Sequence, residues 1–316
     1  MRWGKRSWNW ALWGLLGLLA TTTIAAAKPT TTPVPGTLNY IEGQVMLDGR
    51  NVPAKSAGSE ILGVNQVLDT AQGKAELLLT PGVFLRVGDN SELRMISPGL
   101  ANTRVALVKG SAILEADELF KENDLTVAVD GSTTKIDKNG LYDFNADRPA
   151  VSVLDGKATV YEGDAHVTLK KGHQALLAAV QPIRSQSLDK IAVQTDPLYR
   201  WSKLRSDYEA EANLDTAQTI LVNGGWYGPG WYWDPFWSFY SFVPADGFLY
   251  SPFGWAFYSP WVFPGGFYGY HGYHHYPVRG PGYRPPLVGH NVYGGHGFAG
   301  GHALEAHGGF GRVGHR

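Results

Sequence analysis

The stretch Gly73 to Leu93, GKAELLLTPGVFLRVGDNSEL, leaves this chain few choices of fold. On its second arm Val83, Leu85 and Val87 fall on one side while Phe84 and Arg86 take the other, the period of two that belongs to a β-strand. Thr80, Pro81 and Gly82 interrupt the run where the chain must reverse. The spacing predicts a β-hairpin. Much of the chain up to about residue 180 varies the same plan, with short alternating runs parted by Asp48-Gly49, Pro81-Gly82, Asp89-Asn90, Pro98-Gly99, Asp130-Gly131, Asn139-Gly140, Asp155-Gly156 and Gly163-Asp164. Turn pairs so spaced, with no helical period between them, predict an all-β domain, either a β-sandwich or a rolled β-domain.

A loose internal echo runs through this region. Gly-x-(Ala or Val)-x-(Leu or Val) occurs at Gly43, Gly73, Gly110 and Gly156. A glycine just before each strand fits a turn position with φ above zero, and the irregular spacing of the four argues against a solenoid. The clearest strands are Lys74 to Thr80, Val83 to Val87, Arg104 to Val108, Leu125 to Val129, Ala150 to Leu154, Ala158 to Tyr161 and His166 to Leu169. Their apolar positions are read as core faces.

The ends of the chain differ from this middle. Arg2, Lys5 and Arg6 precede an apolar run from Ala11 to Ala20 and the small residues Ala25, Ala26 and Ala27, the plan of a secretory signal peptide cleaved before Lys28. An uncleaved membrane anchor is the alternative, since Trp8, Trp10 and Trp13 lengthen the apolar stretch, and the N-terminal segment would then be the protein's membrane contact. Residues 28–35, KPTTTPVP, form an extended Pro/Thr linker. A net charge of −1 creates no field to concentrate nucleic acid, so none is expected as a partner. The absence of cysteine excludes disulfides, thiol chemistry and Cys-ligated zinc.

Gly43-x-Val45, Ala57-Gly58, Leu62-Gly63, Val67-x-x-Thr70, Gly73-x-Ala75-Glu76-Leu77 and Leu85-Arg86-Val87-Gly88-x-Asn90-Ser91, in that order, resemble the signature of the FecR-type domain, named for a periplasmic regulator of ferric-citrate transport. Residues 151–177, VSVLDGKATVYEGDAHVTLKKGHQALL, are similar to that family's closing strands. The resemblance covers roughly residues 36 to 180 and implies an exported β-domain used for sensing or interaction, without chemistry of its own. The family's regulators carry a cytoplasmic anti-sigma segment before a membrane span. Only about ten residues precede the apolar run here, so that mechanism is not carried over.

Asp196-Pro197 then opens a helix, with Asp as N-cap and Pro in the first turn. Leu198, Trp201, Leu204, Tyr208 and Ala212 mark its expected apolar face, and Arg200, Lys203, Arg205, Asp207, Glu209 and Glu211 its wet side. The organisation expected is thus a signal peptide over 1–27, a linker over 28–35, a FecR-like β-domain over 36–182, a linker and amphipathic helix over 183–220, and an irregular Gly/aromatic/His-rich tail over 221–316.

In that tail aromatics alternate with Gly, Pro and Ser, and six prolines between Pro229 and Pro264 limit any packed structure to short turns. So many rings must find a surface: the chain's own β-domain, a second copy, the cell envelope, or a polysaccharide. Trp226, Trp231, Trp233, Trp237, Trp255 and Trp261 are the candidate partner-binding residues. The run from Ser241 to Pro260 also resembles segments that accompany exported FecR-like proteins. His271, His274 and His275 stand close enough to share a borderline metal such as zinc or copper, although no carboxylate lies between them and a flexible polar tail whose charge rises as pH drops is the better account of them. No P-loop, G-x-S-x-G or H-E-x-x-H is present, and no cofactor is implied. The expected function is a non-enzymatic exported interaction protein of the envelope, contacting an envelope protein or a polysaccharide. The alternatives are an envelope sensor signalling to a membrane partner and a self-associating surface protein.

Overall fold

In the computed structural model, which describes residues 32–177 and 182–263, the expected hairpin is present. Gly73–Leu78 and Val83–Val87 pair antiparallel, with Leu77 opposite Leu85 and Leu78 opposite Phe84. The turn between them is closed by the Val83 N–H donating to the Thr80 carbonyl at 2.8 Å. Gly82 sits there at φ +81°, the left-handed value that the second central position of a type II turn requires.

Seventeen strands make up the β-domain. They are β1 Thr37–Gly43, β2 Met46–Leu47, β3 Arg50–Asn51, β4 Val67–Thr70, β5 Gly73–Leu78, β6 Val83–Val87, β7 Ser91–Gly99, β8 Asn102–Lys109 and β9 Ser111–Ala116. After these come β10 Asp124–Val129, β11 Ser132–Ile136, β12 Gly140–Asn145, β13 Ala150–Asp155, β14 Lys157–Glu162, β15 Ala165–Lys170, β16 His173–Leu176 and β17 Gln186–Ser187. Two sheets result. One has the order β1-β5-β6-β9-β12-β13-β16-β17 and the other β15-β14-β11-β10-β8-β7-β4-β2-β3. The pairing is antiparallel except between β8 and β10, because the chain crosses to the first sheet through β9 before it returns. The inner faces bury Leu77, Leu85 and Val87 of the first sheet with Leu93, Val105, Leu107, Val127 and Val160 of the second in one core, as a β-sandwich requires.

The four echoing glycines have one steric reason and two geometries. Gly43, Gly110 and Gly156 adopt φ of +70°, +78° and +92°, as expected. Gly73 does not, and is needed because a Cβ there would lie 2.5 Å from the Glu42 carbonyl oxygen on the strand it faces.

β6 departs from its sequence pattern. All five of its residues are buried, although alternation marked only one face for the core. The second face is covered by a third layer, made of helix α2 (Pro197–Asn223) and two hairpins from the aromatic segment, with the short helix α1 (Lys190–Thr195) leading into α2. The hairpins are β18 Gly230–Asp234 with β19 Phe239–Val243, and β20 Phe248–Tyr250 with β21 Ala256–Tyr258. The expectation of turns alone is corrected for this segment, since each strand is short enough to fit between prolines. Phe84 and Leu78 from the sheet pack with Ala210 of α2 and with Trp231, Tyr240, Phe242, Trp255 and Phe257 of the hairpins in a second core.

The helix begins where expected. The Asp196 carboxylate accepts the Leu198 N–H at 2.7 Å, and Pro197 occupies the first turn. Its buried face is turned from the apolar stripe, however. Leu198, Ser202, Arg205, Glu209, Asn213, Thr216 and Ile220 face inward, while Leu204 is exposed. The expected wet side is therefore corrected at Arg205 and Glu209, and the reason is that this helix docks on charged residues of the sheet.

Candidate functional site: an aromatic cap and its cleft

The outer face of the first sheet carries Glu76 on β5, Arg86 on β6 and Glu115 on β9, all fully buried. Arg86 donates to Glu76 at 2.7 Å and to Glu115. From the helix, Arg205 donates to Glu76 at 2.9 Å and to Glu209 at 2.8 Å, and its guanidinium lies 4.1 Å from the Tyr40 ring centre and 4.5 Å from that of Phe239. Burial alone would raise the Glu76 carboxyl, but Arg205 and Arg86 outweigh it and hold it well below the carboxylate range. Glu209 goes the other way: burial and the neighbouring Glu76 push it up against the pull of Arg205. Asp117, at the end of β9, is likewise raised by burial and by Glu115.

Neutral side chains bind the layers together. Asn39 on β1 donates to Glu76 and Glu209 and exchanges bonds with the Tyr240 backbone. Asn213 of the helix donates to the Phe242 and Tyr258 carbonyls, one in each hairpin, and accepts the Tyr258 N–H at 2.6 Å. Ser206 donates to Glu115, and Ser241 to the Glu209 carbonyl. Groups this deeply enclosed fix the cap rather than meet a ligand, although Arg86 Nη2, Arg205 Nε and Glu209 Oε2 have no hydrogen-bond partner among the described residues.

The outward side of the cap carries a group of stacked aromatic rings. Tyr232 on β18 is the centre of a ring stack: Tyr227 lies on it at 4.2 Å and 18° and Trp226 at 5.8 Å and 5°, while Trp261 meets Trp226 edge-on at 6.3 Å. The Tyr227 hydroxyl donates to the Trp231 carbonyl at 2.7 Å and the Tyr232 hydroxyl to that of Gly228 at 2.9 Å, so both rings are held. Beside this stack opens a cleft of about 610 Å³, lined by Tyr227, Tyr232, Trp233, Asp234 and Tyr240, with Thr216 and Thr219 from the helix and Thr32 and Pro33 from the linker. Asp234 is buried and caps the turn after β18, accepting from the Phe236 and Trp237 N–H groups, and burial raises its carboxyl.

The six tryptophans expected to meet a partner do not share one surface. Trp231 and Trp255 lie in the second core, with Trp231 edge-on to Phe84 at 5.0 Å, so neither is presented outward. Trp233 and Trp237 are half-buried, Trp226 belongs to the stack, and Trp261 is 60% exposed. Sequence reasoning missed Tyr227 and Tyr232, whose only signal was their place in the same aromatic run. His271, His274 and His275, like the signal segment, lie outside the described residues. Among the described residues no cluster of three or more His, Cys, Asp or Glu is placed to hold a metal, and no helix is long and apolar enough to cross a membrane.

A second cleft, of about 340 Å³, lies between the first sheet and α1. Asp143 on β12 lines it, with Arg148, Asn145, Gln174 and the two helix caps Asp189 and Asp196. Burial, with a smaller push from Asp196 and against Arg148, raises the Asp143 carboxyl to about 7.

Fold and surface together define an all-β sandwich with an aromatic cap. No protein-family model matches the chain and no curated protein matches it. Among solved structures, two of a putative anti-sigma factor from Parabacteroides distasonis ATCC 8503 are similar in part. One aligns at a TM-score of 0.35 and 16% identity over 40% of this chain and 62% of the other. The second aligns at 0.34 and 16% over 41% and 63%, so this chain spans less than two thirds of either neighbour.

Proposed function

We propose that this chain is a non-enzymatic, exported FecR-like interaction protein of the cell envelope, in which the β-sandwich is a rigid support and the aromatic cap is the contact surface. One observation carries the reading. Having buried Trp231, Trp255, Phe242 and Phe257 against the sheet, the cap still leaves Tyr227, Phe236, Phe248, Tyr250 and Trp261 exposed. Large exposed rings on a well-ordered scaffold mark interaction sites, because a surface with no partner gains nothing by keeping them in water. The basic-apolar-small plan of residues 1–27 supports export, and the ordered FecR-like series supports the class.

The test is fractionation with in-cell crosslinking of the full-length protein and of a Tyr227→Ala/Trp261→Ala double variant. A processed N-terminus at Lys28 in the exported fraction, and a crosslinked species lost in the variant, are expected. Retention of the unprocessed chain inside the cell, or turnover of glycans or esters by the purified protein in a broad screen, would overturn the reading. Truncation at Gly224 is unsuitable, since it would strip the cover from Phe84 and Leu78.

A further inference from the structure

We propose that the cleft beside the Tyr232 stack binds a neutral glycan, with a sugar ring lying on the open face of Tyr227. The proposal rests on the reading of the cap as a contact surface and names what that surface takes.

A pyranose has two characters: a C–H face that packs on an aromatic ring, and a rim of hydroxyls that need donors and acceptors. The cleft offers both. Tyr227 is 70% exposed although Tyr232 covers one of its faces and its hydroxyl is tied to Trp231, so a fixed ring turns its other face to solvent. Rings held in advance lose little freedom on binding, which is what a platform for a weakly apolar ligand needs. The cleft volume, about 610 Å³, lies within the range of small-ligand sites. Thr219 supplies a polar edge from the helix.

Charge decides between ligand classes. Among the described residues no Lys, Arg or His lines the cleft, so an anionic polymer would find no counter-charge from them, and Asp234 is occupied by two backbone N–H groups and by Thr216. A neutral chain is what remains. Proline-rich peptide is the nearest rival, because such segments also dock on aromatic grooves and Pro33 already borders this cleft. The Tyr227 ring, stacked on Tyr232 at 4.2 Å and 18°, is a face of the kind on which a sugar ring packs, and competition with the peptide separates the two occupants.

The experiment uses the mature chain, residues 28–316, with four probes: insoluble cellulose, insoluble chitin, laminarin and xylan. Depletion from solution and titration calorimetry read binding, and far-UV circular dichroism with the thermal midpoint reads folding. Binding to at least one probe is expected, weakened at least tenfold by Tyr227→Ala and by Tyr227→Leu. Tyr227→Leu, which keeps bulk against Tyr232 but removes the ring face, decides alone if Tyr227→Ala disturbs the fold. The proposal is overturned if none of the four binds, if binding is unchanged in both variants, or if a KPTTTPVP peptide displaces the glycan from wild-type protein. A crosslinked envelope partner that persists while no probe binds would remove the glycan and leave the interaction reading standing.

Discussion

Replacing Arg205 by methionine tests how the cap is held. Arg205 is one of two buried cations serving Glu76, and it also reaches Glu209. Methionine keeps most of the volume and the contact with the Tyr40 and Phe239 rings, so the loss is mainly electrostatic. Removing one partner of a buried pair costs about 3–5 kcal/mol, because the remaining charge is left in the interior. The cost should depend on pH. In the wild type Glu76 is held below its unfolded value, so its contribution is present above that value and is lost as the pH falls into the acid range. In the variant, burial is opposed only by Arg86 among the cations, and Glu76 is driven towards taking up a proton. The unfolded state is common to both proteins, so the penalty grows as the pH rises from the depressed value of wild-type Glu76 towards the raised value in the variant, at about 1.36 kcal/mol for each unit between the two. Urea denaturation of the mature chain, followed by tryptophan fluorescence, should give a loss of about 3–5 kcal/mol at pH 8 and a smaller one at pH 5. A loss below about 1 kcal/mol at pH 8, or equal losses at the two pH values, would refute the account of the network.

Asp143 has the opposite sign: its raised folded value means that stability is lost as pH rises from the unfolded value, about 3.9, to about 7. Asp143→Asn should then be more stable than wild type by about 1–3 kcal/mol at pH 8 and equal to it at pH 4, measured by the same denaturation. Trp231→Ala, which empties a ring site against Phe84 and Phe242, should cost about 3–5 kcal/mol, whereas the exposed Trp261→Ala should change stability by less than about 0.5 kcal/mol, and comparing their thermal midpoints checks the division. Gly110→Ala would set a Cβ 2.1 Å from Ser91 Oγ at φ +78° and should cost at least about 2 kcal/mol. Gly131→Ala, at φ +79° in open space, should cost about 1 kcal/mol, and the difference between their denaturation midpoints isolates the steric part.

Local rules made the β-domain legible. The Thr80-Pro81-Gly82 turn, the alternation of β8, β10 and β13 and the Asp196-Pro197 helix start all follow from φ, ψ and side-chain chemistry within a few residues, which neighbouring sequence carries directly. The contact surface was legible only as a composition. Nothing local distinguishes Trp231, in the second core, from Trp261, in solvent, since both stand beside other aromatics in a Pro- and Gly-broken run.

By itself, then, the sequence determined where the β-domain turns, several of its strands and where the long helix begins. Tertiary structure decided which way that helix faces and what the aromatic run covers. The physical reason is that Glu76, Arg86 and Glu115 share one outer face of the first sheet only after β5, β6 and β9 have paired. Once that charged face exists it must be neutralised away from water, and Arg205 and Glu209, wet-side residues in a count of helical periodicity, become the buried contacts. The same docking gives Phe84 its aromatic cover, and the hairpin on which the chain is built ends with both its faces inside.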